Sequence, residues 1–407
     1  MRMLRFGPIL FLIITLSAVG QITNTIYVPA MSLIAHDLGV QAHLVQLVMT
    51  AYLLSYGASQ FLYGPLSDRY GRRPITLFGL ALFCYGSIMA TMAHSFMALV
   101  TASFIQGTGI GVAGVMSRTI MRDIYRGRRL HLASSHISVA LIFAPLIAPL
   151  LGGVISDLLG WRAIFAAVSL FGIAVLILEY KAMPETNRFI GRSNTKLWGL
   201  FKSFVPVLTN KVFLANMICL LATFGGVSVF EATGGVLFAK LFHLGPLMVS
   251  LLFIVPLPPY MLGCYLAGSL NKRISTQTIM VTGIGLLLLG GLTMLVFAAL
   301  NILNLIVILI PASIYMLGSG FVYPTATSKA LEPFPMLAGT AGAALGAGQN
   351  IGAGLSTMVS AALPVTSQMP LACILTALAA LVATTYFTLS SPKDGALQWR
   401  LKVRRAR

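Results

Sequence analysis

Charge is what this chain has least of. Asp, Glu, Lys and Arg make up 9% of its 407 residues against 57% apolar, where an ordinary soluble domain carries roughly a quarter charged residues. That excludes a water-soluble globular protein. Acid is scarcer than base, with nine carboxylates against 27 Lys and Arg and a formal charge of +18. The basic residues are spread over the joints between apolar runs instead of forming one surface, so nucleic acid is not an expected partner. Cysteine is sparse too. Cys84, Cys219, Cys264 and Cys373 all fall inside apolar runs, with neither zinc spacing nor a disulfide framework. The six histidines lack metal spacing, and no GxxxxGK[ST] loop or nucleophile–base pair is present. These absences argue against an enzyme, a metal centre or a nucleotide-driven pump, and no cofactor is called for.

What the chain does have is long apolar runs. A span needs about 20 apolar residues, and twelve runs qualify, near 7–28, 44–63, 75–93, 96–116, 133–156, 163–180, 212–236, 247–267, 277–299, 303–322, 338–361 and 370–390. Arg2 and Arg5 ahead of a run containing Ala18-Val19-Gly20 imitate a signal peptide, but the run stays apolar to Val28 and is taken as a span. With both termini cytoplasmic, 25 of the 27 basic residues fall on the inner side, Arg162 and Lys240 alone lying outside. A split this lopsided supports that topology.

The longest joint opens with Met183-Pro184-Glu185-Thr186 and divides the spans six and six. The expected organisation is a half over 1–182, a cytoplasmic linker over 183–211, and a second half over 212–407 ending in a basic tail, Arg400 to Arg407, suited to anionic lipid head groups. Gly64, Leu66 and Arg69 recur as Gly268, Leu270 and Arg273 at a constant offset of 204, a faint sign of two related halves. The expected fold is therefore an all-α integral membrane protein, with twelve transmembrane helices in two pseudo-symmetric six-helix halves around a central cavity, working as a monomer.

Of the nine carboxylates, Asp37 and Asp157 lie at outer joints, and Asp68, Asp123, Glu179, Glu185, Glu332 and Asp394 at or near the inner surface. Only Glu231 is left at membrane depth, on the outer side of the midplane by roughly 10 Å, with no Lys or Arg at comparable depth. Desolvation favours its neutral form, so it can exchange a proton or attract a cation entering the same cavity. Neutral polar groups also occur within the spans: Gln21, Asn24 and Thr25 on the first, Tyr52, Tyr56 and Gln60 on the second, Gln106 on the fourth, Gln349 and Asn350 on the eleventh. Tyr52, Tyr56 and Gln60 recur at i, i+4 and i+8 and share a helix face. Such faces would make either a cavity wall tolerant of varied ligands or a set of interhelical hydrogen bonds.

The stretch GPLSDRYGRRP, Gly64 to Pro74, is short, glycine-framed and basic, lies between two apolar runs, and is expected to form a cytoplasmic loop. It resembles the signature of the major facilitator superfamily. With VMTAYLLSYGASQFLYG and the fifth span's FAPLIAPLLGGVI, which carries Pro145, Pro149, Gly152 and Gly153, the chain is similar to the twelve-helix drug/proton antiporter branch. The resemblance implies alternating access and export of small lipophilic or cationic drugs across a bacterial inner membrane, driven by the proton gradient. It also implies a gate built from Gly64, Asp68, Arg69, Gly71, Arg72 and Arg73, with Asp68 facing the start of the eleventh helix and the arginines engaging Asp123. Two departures stand out: Ser103 occupies a position where many relatives carry arginine, and the first span offers Gln21, Asn24 and Thr25 where many carry an acid. Coupling would then rest on Glu231 or on a less familiar group. Export of one endogenous metabolite, or a non-transporting sensor, are the alternative expectations.

Overall fold

The computed structural model describes residues 6–125, 128–187, 202, 204–271, 273–334 and 337–389. These residues are helical, with no strand among them. In hydrocarbon every backbone N–H and C=O must be satisfied within its own segment, which leaves the helix as the form for an apolar run of this length. The long helices, in chain order, are α1 (Phe6–Thr25), α2 (Gln46–Tyr70), α3 (Arg72–Thr91), α4 (Phe96–Ile124), α5 (Arg128–Leu159), α6 (Trp161–Ala182), α7 (Lys211–Leu241), α8 (in two segments, Pro246–Ile254 and Leu257–Leu270), α9 (Thr276–Ala299), α10 (Leu305–Leu331), α11 (Ala338–Ala361) and α12 (Met369–Leu389). Side chains start several of them: Ser95 accepts from the Ala98 amide, Asn210 from Phe213 and Ser275 from Thr278, each satisfying one of the free N–H groups of a first turn.

The twelve helices follow the twelve expected spans. Among the described residues, nine are long and apolar enough to cross a membrane by themselves. Of the other three, α2 and α11 are rich in small or polar residues, while α5 carries an apolar stretch over Ile147–Leu159; these are the helices through which the two sets of six meet. Helices α1–α6 pack mainly on one another, as do α7–α12, while α2 lies along α11 and α5 against the first segment of α8. Most of the expected 183–211 linker, and the basic tail, lie outside the described residues.

The expected loop at 64–74 is corrected by the structure. Gly64 to Tyr70 continue α2, Arg72 begins α3, and Gly71 alone makes the turn, at φ 105°. An L side chain rarely adopts that conformation. Pro65 sits within α2, and Ser67 donates to the Gly64 carbonyl at 2.8 Å. The bundle end that carries Gly71 is called the basic end below, and the other the far end.

At the far end glycine sets the closeness of the halves. A Cβ on Gly153 would meet Leu247 Cα and the Pro246 carbonyl at 3.0 Å, and a Cβ on Gly152 would strike the Ile26 carbonyl. Ser250 of α8 donates to the Pro149 carbonyl at 2.7 Å, and Asp157 accepts from the Leu247 amide at 3.2 Å. Pro145 lies in the same helix, two turns toward the basic end. The expected proline-glycine helix is thus the one that seals α5 on α1 and α8.

The central cavity and its polar residues

Between the two sets of helices lies a cavity of ≈ 480 Å³. Glu231, Phe230, Val227 and Phe224 of α7 line one wall and Gln21, Asn24, Thr25 and Val28 another, with Tyr260 of α8, Tyr323 and Met316 of α10 and Gln349 of α11 completing it. The wall is mostly apolar and aromatic, with a few fixed polar groups such as the Tyr323 hydroxyl, which donates to Gln349 Oε1 at 2.9 Å. Glu231 is half-buried on this wall and makes no ion pair among the described residues.

Five of the expected cavity residues, Gln21, Asn24, Thr25, Glu231 and Gln349, are therefore brought together. Five are not. Tyr52 donates to the Gly20 carbonyl at 2.8 Å, Tyr56 is buried edge-on against Tyr52, and Gln60 is wedged against Gly114 and Gly346. Gln106 donates to Ser87 Oγ at 2.8 Å between α4 and α3. Asn350 donates to the Gly346 carbonyl of its own helix at 2.9 Å. Tyr52, Tyr56 and Gln60 do share a face, but that face packs on neighbouring helices, because Gly107, Gly111 and Gly114 of α4 and Gly346 of α11 let those helices approach it.

Two features were not foreseen. Arg118 lines the same cavity, donating to the Gly342 carbonyl of α11 at 2.7 Å. It belongs to the last turns of α4, which runs on to Ile124, so a residue counted with the inner joint reaches into the interior. It does not pair with Glu231. Thr233, half a turn past Glu231, bonds Ser360, so the two charges are separated by roughly 25 Å along α11 at 1.5 Å per residue. Glu179 is the second: expected near the inner surface, it is buried.

At the basic end several of the expected gate residues converge as a clasp. Arg72 reaches Asp68 at 2.5 Å through Nη1 and Asp123 at 3.2 Å through Nε. Glu185 accepts from the Arg72 and Arg73 amides at 2.9 and 3.1 Å, Arg73 donates to the Tyr180 carbonyl at 2.7 Å, and Thr186 donates to Asp123. The expected partnership of a loop arginine with Asp123 is present. Asp68, by contrast, pairs with Arg72 and not with α11, since an arginine one turn away on the same face is nearer than the other half. Arg69 is exposed above the Tyr70 ring. All these contacts lie within the first six helices and the chain just after them, while Arg118, Arg122 and Gln60 reach across to α11 at this end.

Twelve helices, two sets of six and a central cavity define a membrane transporter. The family model of the Major Facilitator Superfamily matches residues 11–357, and the chain belongs to that family. It is 39% identical to the Multidrug resistance protein D of Escherichia coli (strain K12) over 391 residues, covering 96% of this chain and 98% of that one. It is 25% identical to a Bicyclomycin resistance protein homolog of Haemophilus influenzae over 79% of this chain and 80% of that protein, and 28% identical to a Chloramphenicol resistance protein of Pseudomonas aeruginosa over 77% and 74%. A D-xylose-proton symporter shares the fold, with a TM-score of 0.72 at 16% identity over 92% of this chain and 96% of that one.

Proposed function

We propose that the protein exports small amphipathic, lipophilic or cationic drugs in exchange for protons, by alternating access of the cavity to the two sides of a bacterial inner membrane. The observation that carries this reading is a largely apolar, aromatic cavity holding one carboxylate, Glu231, with no cation beside it. An apolar wall with few fixed polar groups accepts varied ligands, and an unpaired carboxyl at membrane depth can take up a proton or face a cationic ligand. The names of the resistance-associated relatives support the same substrate class. The basic end is cytoplasmic on this reading, both termini lie there, and the proton gradient supplies the energy without a cofactor. The chain works as a monomer. The division at 1–182, 183–211 and 212–407 gives the two rocking bodies and their linker, and the clasp around Arg72 steadies the first body.

Glu231 alternates between holding a proton and releasing it toward the cytoplasm as drug is expelled. A growth-inhibition panel in a pump-deleted strain, with transport in proteoliposomes under an imposed pH gradient, tests this. The chain is expected to protect against several lipophilic cations, and Glu231→Gln to abolish gradient-driven export. Protection against no compound overturns the substrate class, and unchanged gradient dependence in Glu231→Gln overturns the coupling role.

A further inference from the structure

Glu179 lies one turn from the end of α6 and is 1% exposed, with no hydrogen-bond partner for its Oε1. It borders a void of ≈ 10 Å³, at the lower limit of what one water fills. The wall of that void is Ile9, Ile13 and Leu16 of α1, Ile120 of α4, and Met183 and Pro184 where the chain leaves α6. An ionised carboxylate sealed among aliphatic carbons, with no cation or donor beside it among the described residues, is strongly penalised.

Among the described residues, the charged and titratable groups on the surrounding elements are bonded to other partners or face away from the void. Among its described residues α1 has none. On α4, Arg118 holds the Gly342 carbonyl, Arg122 lies beside Gly339, Asp123 takes Arg72, and Tyr125 is bonded to the backbone of Leu10. On α3, Arg73 goes to the carbonyl and ring of Tyr180. Lys181 is exposed. On α5, His136 contacts the Leu132 carbonyl and Asp157 lies at the far end. Glu185 accepts from the amides of α3.

The lid of the void is also the start of the clasp. Met183 and Pro184 run directly into Glu185 and Thr186, whose bonds to Arg72, Arg73 and Asp123 pin the segment down. We propose that Glu179 is a proton-linked switch for this clasp: with its proton the carboxyl is sealed beneath Met183 and Pro184, and losing that proton to water requires the segment to lift. The step transfers one proton from the carboxylic acid to water and leaves a carboxylate that cannot be resealed. The sealed form binds the proton, so it is favoured at low pH and lost as pH rises on the basic side. Helix α4 carries the change onward, since Ile120 touches the void, Asp123 holds the clasp and Arg118 holds α11. In an exchanger this gives the aqueous phase at that end a hand in proton release, a consequence that rests on the proton-exchange reading above; the switch itself does not.

The test is amide hydrogen exchange of the segment 180–187 in the full chain in nanodiscs from pH 6 to 9, expressed as protection factors to remove the intrinsic base catalysis. Wild-type protection is expected to fall, approaching about tenfold per pH unit once the released form ionises. Glu179→Gln and Glu179→Leu are expected to stay flat, the leucine variant guarding against a fold defect of the polar one. A flat wild-type profile, or the same fall in Glu179→Leu, overturns the proposal. Neither result depends on transport, so failure here is separate from failure of the Glu231 reading.

Discussion

Gly235→Ala tests how the far end is closed. Gly235 is where α7 meets the first half: a Cβ there would lie 2.6 Å from the Val28 carbonyl oxygen and 3.1 Å from Val28 Cγ1. Val28 is 1% exposed in the tight turn that follows α1, and a backbone oxygen held there has nowhere to go. Restoring an ordinary contact needs the halves to part by about 0.8 Å, or the strain to be absorbed at about 1–3 kcal/mol. The contact exists only while the far end is closed, so that cost falls on the closed form and shifts the open-to-closed ratio by about 5- to 150-fold. Gly285 of α9 provides the control, because nothing lies within 4 Å of its added Cβ, and Gly285→Ala should gain up to about 1 kcal/mol of helix propensity. Spin labels at His36 and His243, both exposed, report the separation of the halves at this end. Gly235→Ala should lengthen that distance distribution and Gly285→Ala leave it alone. An unchanged distribution in Gly235→Ala, with the protein folded, would refute the claim that close packing at Val28 shuts the far end.

Two further outcomes follow from the side chains around the cavity. Gln106→Leu leaves Ser87 without its donor at 2.8 Å and should lower stability by about 1–3 kcal/mol, read as a fall in melting temperature, while competition between substrates stays as in the wild type. A changed substrate order would return Gln106 to the cavity. Arg118→Ala removes the bond to Gly342 and the cavity's cation together, so the basic end should open more readily, measured as faster labelling of a cysteine at Gly342, and cationic substrates should bind more tightly. Unchanged labelling would mean that Arg118 does not hold α11.

The membrane architecture was legible because it depends on bulk quantities. Run length and the placement of Lys and Arg do not require knowing which residue touches which, and each expected span has its helix. Glu231 was legible for the same reason, as a charge with nowhere to hide. The neutral polar residues were not, because sequence gives the face of a helix but not what that face meets. Tyr52, Tyr56 and Gln60 share one face, yet Gly107, Gly111 and Gly114 of α4 let that face pack, so its hydroxyls and amides serve neighbouring helices. Gln21, Asn24 and Thr25 sit where α1 and α7 diverge below the Val28–Gly235 contact, and they line the cavity. Arg118 was missed through a helix end, because α4 runs on to Ile124, past the 96–116 run, and carries it into the interior; Glu179 falls at the inner edge of the 163–180 run and was assigned to the surface by that position, whereas α1, α4 and the chain after α6 pack over it.

The chemistry of the cavity is divided along its length, and the division follows from what seals each end. Close backbone contact through Gly153 and Gly235 brings the halves together at the far end, where the Asp157 carboxylate also accepts from the Leu247 amide. At the basic end the halves are joined through a charged side chain, Arg118 on Gly342, on a helix that also carries Asp123 of the clasp and Ile120 over Glu179. Glycine contacts respond to volume and are indifferent to pH, whereas a guanidinium, a clasp of carboxylates and a sealed carboxyl all respond to charge. On the proposed export reading, a cationic ligand entering from the basic end passes Arg118 before it reaches Glu231, so like-charge repulsion would disfavour its lingering there and the carboxylate roughly 25 Å further on would attract it. On that reading the polarity of the cavity favours loading at the deep end, next to the glycine seal that would have to part for release on the far side.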